Sequence, residues 1–191
     1  MIEYLIALDQ KLLLWINQFA GDPTLDFIFV QASEKFIWLP LYGVLLYLIY
    51  KRLDFNSGKW VVLGALSLLV LTDQGSVQLF KETFQRLRPC HNPDLDGLLN
   101  LPSGRCGGSF SFISSHASNV FGLAVYLIFI MTRGSDSRAW WLLLVWAVVV
   151  SVSRVFLGVH YPLDICGGAI FGALLGFGVA SVVNKSIEFK Q

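Results

Sequence analysis

Charge is what this chain of 191 residues has least of: 14% of its residues are Asp, Glu, Lys or Arg, against 55% hydrophobic ones. That balance excludes a disordered chain and argues against a water-soluble monomer, whose charged share is nearer a quarter. The 14 basic and 13 acidic residues leave a net charge of +1. There is no basic excess to neutralise nucleic-acid phosphates, so no nucleic-acid partner is expected. Cysteine is scarce too. Cys90, Cys106 and Cys166 are too few for a disulfide-framed small domain, and no CxxC pair suggests a zinc ribbon or thioredoxin-like site. The opening MIEYLIALDQK lacks a basic n-region and a small-residue cleavage site, so no removable leader is expected. Neither an internal repeat nor a low-complexity tract divides the chain, and residues 1–191 are expected to form one membrane domain.

Apolar length is what the chain has in abundance. Fifteen Phe, six Trp and a mean hydropathy of +0.63 put much of its surface against lipid. A bilayer core of about 30 Å takes about 20 apolar helical residues, and five segments meet or approach that length: 36–50, 60–80, 117–132, 139–152 continuing towards Gly158, and 162–183. Ahead of them, Leu5, Leu8, Leu12, Trp15, Ile16 and Phe19 fall on one helical stripe, with Glu3, Gln10, Lys11, Asn17 and Gln18 away from it, and Gly21-Asp22-Pro23 ends the pattern. This predicts an amphipathic helix lying in the interface, with a sixth crossing as the alternative. The expected fold is all-α: an integral-membrane bundle of five transmembrane helices, or six if the N-terminal helix also crosses. Gly168, Gly172 and Gly176, four apart, make a stripe that a second helix can approach closely. Asp73 is the one acidic residue inside the second span, and the sequence shows no partner for it.

With five spans, the loop 89–113 and the turn around His160 share one side of the membrane. Lys51, Arg52, Lys59, Arg133, Arg138, Lys185 and Lys190 share the other. Against these seven stand Lys11, Lys35, Arg86 and Arg105, once the three basic residues given chemistry below are set aside. The positive-inside rule then points the long loop out of the cytoplasm.

Three reactive clusters sit where spans leave the membrane on that one side. Lys81 and Arg88 are seven apart, which on a continuing helix puts both cations on one face before Pro89 breaks it. They suit a phosphate or, alternatively, snorkel at the lipid boundary. Ser114, Ser115 and His116 open the third span, where unpaired N–H groups suit an anion and hydroxyls suit capping. His116 is not explained by capping. Between the last two spans, Ser153, Arg154, His160 and Asp164 bring together a cation, an imidazole and a carboxylate. A carboxylate four residues after a histidine can accept its Nδ1 proton and leave Nε2 as a nucleophile.

On these residues the sequence resembles the type 2 phosphatidic acid phosphatases, PAP2, whose three-part signature is K-x6-R-P, P-S-G-H and S-R-x5-H-x3-D. Lys81 to Pro89 matches the first part and Ser153 to Asp164 the third. In the second, Ser114 and His116 are kept while Ile113 replaces the proline and Ser115 the glycine. Pro102-Ser103-Gly104 is a decoy, because Arg105 follows in place of a histidine. The signature spans about 84 residues, 81–164. The resemblance implies metal-independent hydrolysis of a lipid phosphate or diphosphate with no cofactor. His160 is the implied nucleophile, forming a phosphohistidine, with Asp164 orienting it and His116 as acid and base. Lys81, Arg88, Arg154, Ser114 and Ser115 are the implied phosphate ligands. Size and layout are similar to small bacterial undecaprenyl diphosphate phosphatases within the family, in the inner membrane with the site facing outward. Phosphatidic acid, phosphatidylglycerol phosphate and lipid A are alternative substrates, and a lipid-binding bundle with a vestigial site is the non-enzyme alternative. A vanadate-dependent haloperoxidase is disfavoured by the apolar composition.

Cys90 and Cys106 share the loop predicted to lie outside the cytoplasm, where a disulfide persists. Two free thiols are the alternative. Cys90 beside His91 is too small a donor set to suggest zinc.

Overall fold

The computed structural model describes residues 2–133 and 138–189; Lys190, part of the charge balance, lies outside them. Among the described residues there is no strand, only two isolated bridges, Leu53 with Phe189 and Leu87 with Phe110. Helix α1 (Ile2–Asn17) runs to a turn at Gly21, whose φ of +106° favours glycine. Asp22 accepts the N–H groups of Thr24 and Leu25 and so starts α2 (Pro23–Ser33). At Glu34 the chain bends by 70° into a second helical stretch, which opens with a 3-10 turn (Lys35–Trp38) and continues as α3 (Leu39–Arg52). Asp54 caps α4 (Phe55–Gly75), which continues through a π-helical stretch, Ser76–Lys81, into the short α5 (Glu82–Phe84). A long loop leads to α6 (Ser115–Met131), followed by α7 (Leu142–Phe156) and α8 (Pro162–Val183).

All five expected spans are helical. Phe55–Phe84, Arg138–Phe156 and Pro162–Val183 are each long and apolar enough to cross a membrane, and the α2–α3 region qualifies as a bent pair. Ser115–Met131 is shorter, at 17 residues. Helix α2 was not among the expected elements; at 11 residues it is too short to register as a span, and it packs on α7 through Phe29 stacked on Phe156 at 4.2 Å. Large apolar side chains remain exposed on the outer faces of α4, α7 and α8, among them Leu66, Val70, Leu142, Val145, Ile170 and Leu174. In a water-soluble protein such a belt would drive aggregation; here it faces lipid. The chain is a multi-pass membrane protein.

Helix α6 is the hub. Most of its residues are buried, and Tyr126, fully enclosed, donates its hydroxyl to the Val61 carbonyl of α4 at 2.8 Å. The glycine stripe of α8 lies against α6 so closely that a Cβ at Gly172 would overlap the Ser118 backbone, and one at Gly176 the Gly122 backbone. This contact sets the N-terminus of α6 beside that of α8, where Ser114 N–H donates to the Asp164 carbonyl at 3.0 Å.

Helix α1 turns its apolar stripe outward. Leu5, Leu8, Leu12, Trp15 and Phe19 are exposed, while Asp9, Leu13, Asn17 and Ala20 face the protein. Asn17 is therefore no solvent-side residue: its amide donates to the carbonyls of Asn100 and Phe156 and accepts from the Asn100 N–H. One side chain thus ties the long loop to the end of α7.

Candidate active site

Beneath the long loop lies a cavity of about 780 Å³ whose lining includes Lys81, Arg88, Ser115, His116, Arg154 and His160. Residues up to 79 positions apart in sequence thus meet in one place, from three helices and two loops. Lys35 and Asp73 also reach its wall. Asp73, unpartnered in the sequence, acts electrostatically on Lys81 from eight residues back along the same helix.

Lys81 and Arg88 arrive there by a different route from the one their spacing predicts. The helix ends at Phe84, and Gln85 takes a left-handed conformation at φ 48°, the one positive φ of a non-glycine among the described residues. Arg88 therefore lies on extended chain, not on the helical face of Lys81. It is held there by its own N–H to the Ser109 carbonyl, and by its guanidinium to the carbonyls of Phe110 and Cys106. Of these partners, Cys106 is joined to Cys90 by a disulfide, and Ser109 and Phe110 follow it in the same long loop.

At the start of α6 the two serines divide. Ser114 is fully buried; its hydroxyl caps the helix by accepting from Ala117 N–H, and its carbonyl receives the Ser118 hydroxyl. Ser115 faces the cavity, accepting from Lys81 Nζ at 2.9 Å and sharing a 2.6 Å hydrogen bond with Ser76. Its backbone is helical, so a glycine's freedom is not needed there. His116, one residue on, is exposed to the cavity. Pro102 to Gly104 form a turn apart from the cavity lining, with Ser103 donating to the Arg105 carbonyl.

Arg154, near the end of α7, donates one guanidinium nitrogen to Ser33 of α2, while its buried Nε has no hydrogen-bond partner among the described residues. Four residues past the end of α7, His160 is 1% exposed, with Nδ1 3.3 Å from Asp164 Oδ2. The Tyr161 N–H donates to the same oxygen at 2.8 Å. Burial pushes the imidazole well below its usual 6.5, and the Arg88, Arg154 and Lys81 charges push the same way. A neutral ring that donates Nδ1–H to the carboxylate leaves the Nε2 lone pair free. Among the described residues, no three His, Cys, Asp or Glu side chains converge as a metal cage.

Two residues of this environment escape sequence reasoning. Arg86, counted above with the bystander charges, donates to Asp164 Oδ1 at 3.0 Å and to Asp9 Oδ2 at 2.7 Å, and lies over the Tyr161 ring at 3.8 Å. Asp9 in turn accepts the Leu163 N–H at 2.8 Å. Burial raises the Asp9 carboxyl above its usual range, against the pull of Arg86 and Leu163. The one sequence signal for Asp9 is the line Asp9, Leu13, Asn17 at four-residue spacing, on the flank of the apolar stripe.

Three cations around a buried His–Asp pair, at one end of an apolar helical bundle, define a membrane-embedded phosphatase. The chain belongs to the PAP2 superfamily, whose model matches residues 58–188. It is 36% identical to a lipid A 4'-phosphatase of Bacteroides thetaiotaomicron over 97% of this chain and 81% of that protein. It is 32% identical to an undecaprenyl-diphosphatase of Sulfolobus acidocaldarius, covering 84% of this chain and 70% of the relative. Among solved structures, the transmembrane PAP2-type phosphatidylglycerolphosphate phosphatase of Bacillus subtilis superposes with a TM-score of 0.70, covering 95% of this chain and 87% of that one at 22% identity. At that identity the likeness is one of fold.

Proposed function

We propose that this protein removes phosphate from the saccharide headgroup of a lipid A-type glycolipid, through a phosphohistidine at His160, on the outer face of a bacterial inner membrane. The observation that carries the reaction is the buried His160–Asp164 pair beside a cavity lined by Lys81, Arg88 and Arg154. His160 Nε2 attacks phosphorus, forming a P–N bond as the P–O bond to the lipid breaks. His116 gives a proton to the departing oxygen, then takes one from the water that cleaves the P–N bond and frees phosphate. Asp164 compensates the imidazolium formed meanwhile. Lys81, Arg88, the unpartnered Nε of Arg154 and the hydroxyl of Ser115 bind the phosphoryl oxygens, the charge compensation such a transition state needs. Ser114 contributes by capping α6 and orienting the N–H groups after it.

The glycolipid is favoured by the near full-length similarity to the Bacteroides relative. The outward orientation rests on the seven-to-four balance of basic residues. Undecaprenyl diphosphate is the second reading, favoured by the similarity to the Sulfolobus protein. Phosphate release in detergent from lipid A, undecaprenyl diphosphate, phosphatidic acid and phosphatidylglycerol phosphate separates these readings. Lipid A is expected to give the highest kcat/KM, with vanadate inhibiting; a preference for undecaprenyl diphosphate overturns the substrate assignment. His160→Ala is expected to abolish release, and wild-type turnover in that variant overturns the nucleophile.

A further inference from the structure

The phosphoryl chemistry above makes no use of Asp9, a carboxylate whose side chain is 1% exposed. It stands on α1, outside the residues matched by the family model. An unpaired carboxylate at that depth would be costly, yet one Arg86 guanidinium serves both it and Asp164, at 2.7 and 3.0 Å. Four groups thus form one row: Asp9, Arg86, Asp164, His160.

Formal charge along the row indicates what Asp9 contributes. Two carboxylates and one guanidinium sum to −1 while His160 is neutral, and the imidazolium formed on attack brings the row to zero. Without Asp9, Arg86 and Asp164 already cancel, and the imidazolium forms without compensation beside Lys81, Arg88 and Arg154. We propose that Asp9 is a positioning residue acting through Arg86: it offsets the guanidinium charge so that Asp164 keeps its net negative charge for His160, while the Arg86 fork fixes the Asp164 carboxylate. The first helix is then part of the active site. The hydrogen bond that Asp9 accepts from the Leu163 N–H, one residue before Asp164, fixes Asp9 against the first turn of α8, which carries Asp164.

This inference rests on the reading of His160 as nucleophile. A plain structural tether and a charge-offsetting residue differ in one respect. If charge matters, removing both Asp9 and Arg86 charges restores the −1 of Asp164, and the double variant outperforms Asp9→Asn alone. A tether predicts that the double variant is no better than the worse single one. The experiment measures kcat and KM in the full-length detergent-solubilised protein for Asp9→Asn, Arg86→Gln, the double variant and Arg86→Lys, with Lys11→Gln on the exposed face of α1 as control. The expected result is a kcat at least about tenfold lower in Asp9→Asn with KM within about twofold of wild type, and at least about threefold recovery in the double variant. Arg86→Lys, which keeps the charge and loses the fork, is expected to retain more kcat than Arg86→Gln. Unchanged kcat in Asp9→Asn, a loss confined to KM, or a double variant no better than Asp9→Asn overturns the proposal. His160→Ala run alongside separates the two claims: if it is inactive, such a failure concerns Asp9 alone, and if it keeps turnover, the nucleophile assignment fails as well.

Discussion

His160 shows how burial and neighbouring cations act on a single side chain. Its imidazole is held neutral well below its usual 6.5, chiefly by burial. An unfolded chain binds a proton there below about pH 6.5 and the folded protein does not, so stability is lost as pH falls through that value towards the lower folded pKa. The slope approaches about 1.4 kcal/mol per pH unit for one proton. His160→Asn is expected to flatten this part of the acid limb in thermal unfolding of the detergent-solubilised protein, relative to wild type. Ser115 makes a second case. Its hydroxyl accepts from Lys81, and hydrogen bonds to charged groups contribute about 1.5 to 3 kcal/mol. Ser115→Ala is expected to raise KM roughly tenfold by freeing the ammonium; an unchanged KM shows that Lys81 needs no such guide. At this scale the signature residues were legible by their fixed spacing, and the structure brings Lys81, Arg88, Ser115, His116, Arg154 and His160 to one cavity. Arg86 and Asp9 were not legible, since what marks them is a guanidinium shared between two carboxylates distant in sequence.

Among the helices, the α6–α8 contact decides the geometry of the site. The glycine stripe was readable at four-residue spacing, because closely packed helices leave that periodic trace. Its partner, the backbone of Ser118 and Gly122, leaves none. Adding a methyl at Gly172 forces the two helices apart at an estimated cost of about 1 to 3 kcal/mol. Gly172→Ala is expected to lower both thermal stability and turnover, whereas Gly178→Ala, with open space around its Cβ, leaves both unchanged. The route of the chain from Lys81 to Arg88 was hidden. A seven-residue interval fits two helical turns equally well, and the left-handed turn at Gln85 is set by the bridge from Leu87 to Phe110, a tertiary contact.

Across the whole molecule, an apolar belt faces lipid and the polar chemistry collects at one end, under a loop fastened at several points. The disulfide closes a 16-residue separation, worth about 3 kcal/mol in the chain-entropy model. The Cys106 carbonyl holds Arg88, and Asn17 fastens the loop at Asn100. Reduction is therefore expected to raise KM for the lipid phosphate and lower thermal stability together; a KM indifferent to reductant shows that Arg88 keeps its place without the bridge. Composition and periodicity revealed the membrane class and the apolar helices, because lipid contact imposes long hydrophobic runs. The apolar stripe of α1 was legible for the same reason, whereas the packing of Asp9, Leu13 and Asn17 against the protein was not, because it depends on partners distant in sequence.

The central claim is that phosphate passes through a covalent bond to His160. It is tested most directly by rapid acid-free quenching of the enzyme during turnover of a 32P-labelled lipid phosphate, followed by peptide mapping. The account predicts an acid-labile, base-stable label on His160 that is absent from His160→Ala. Label on another residue, or steady turnover by a His160→Ala enzyme, contradicts it.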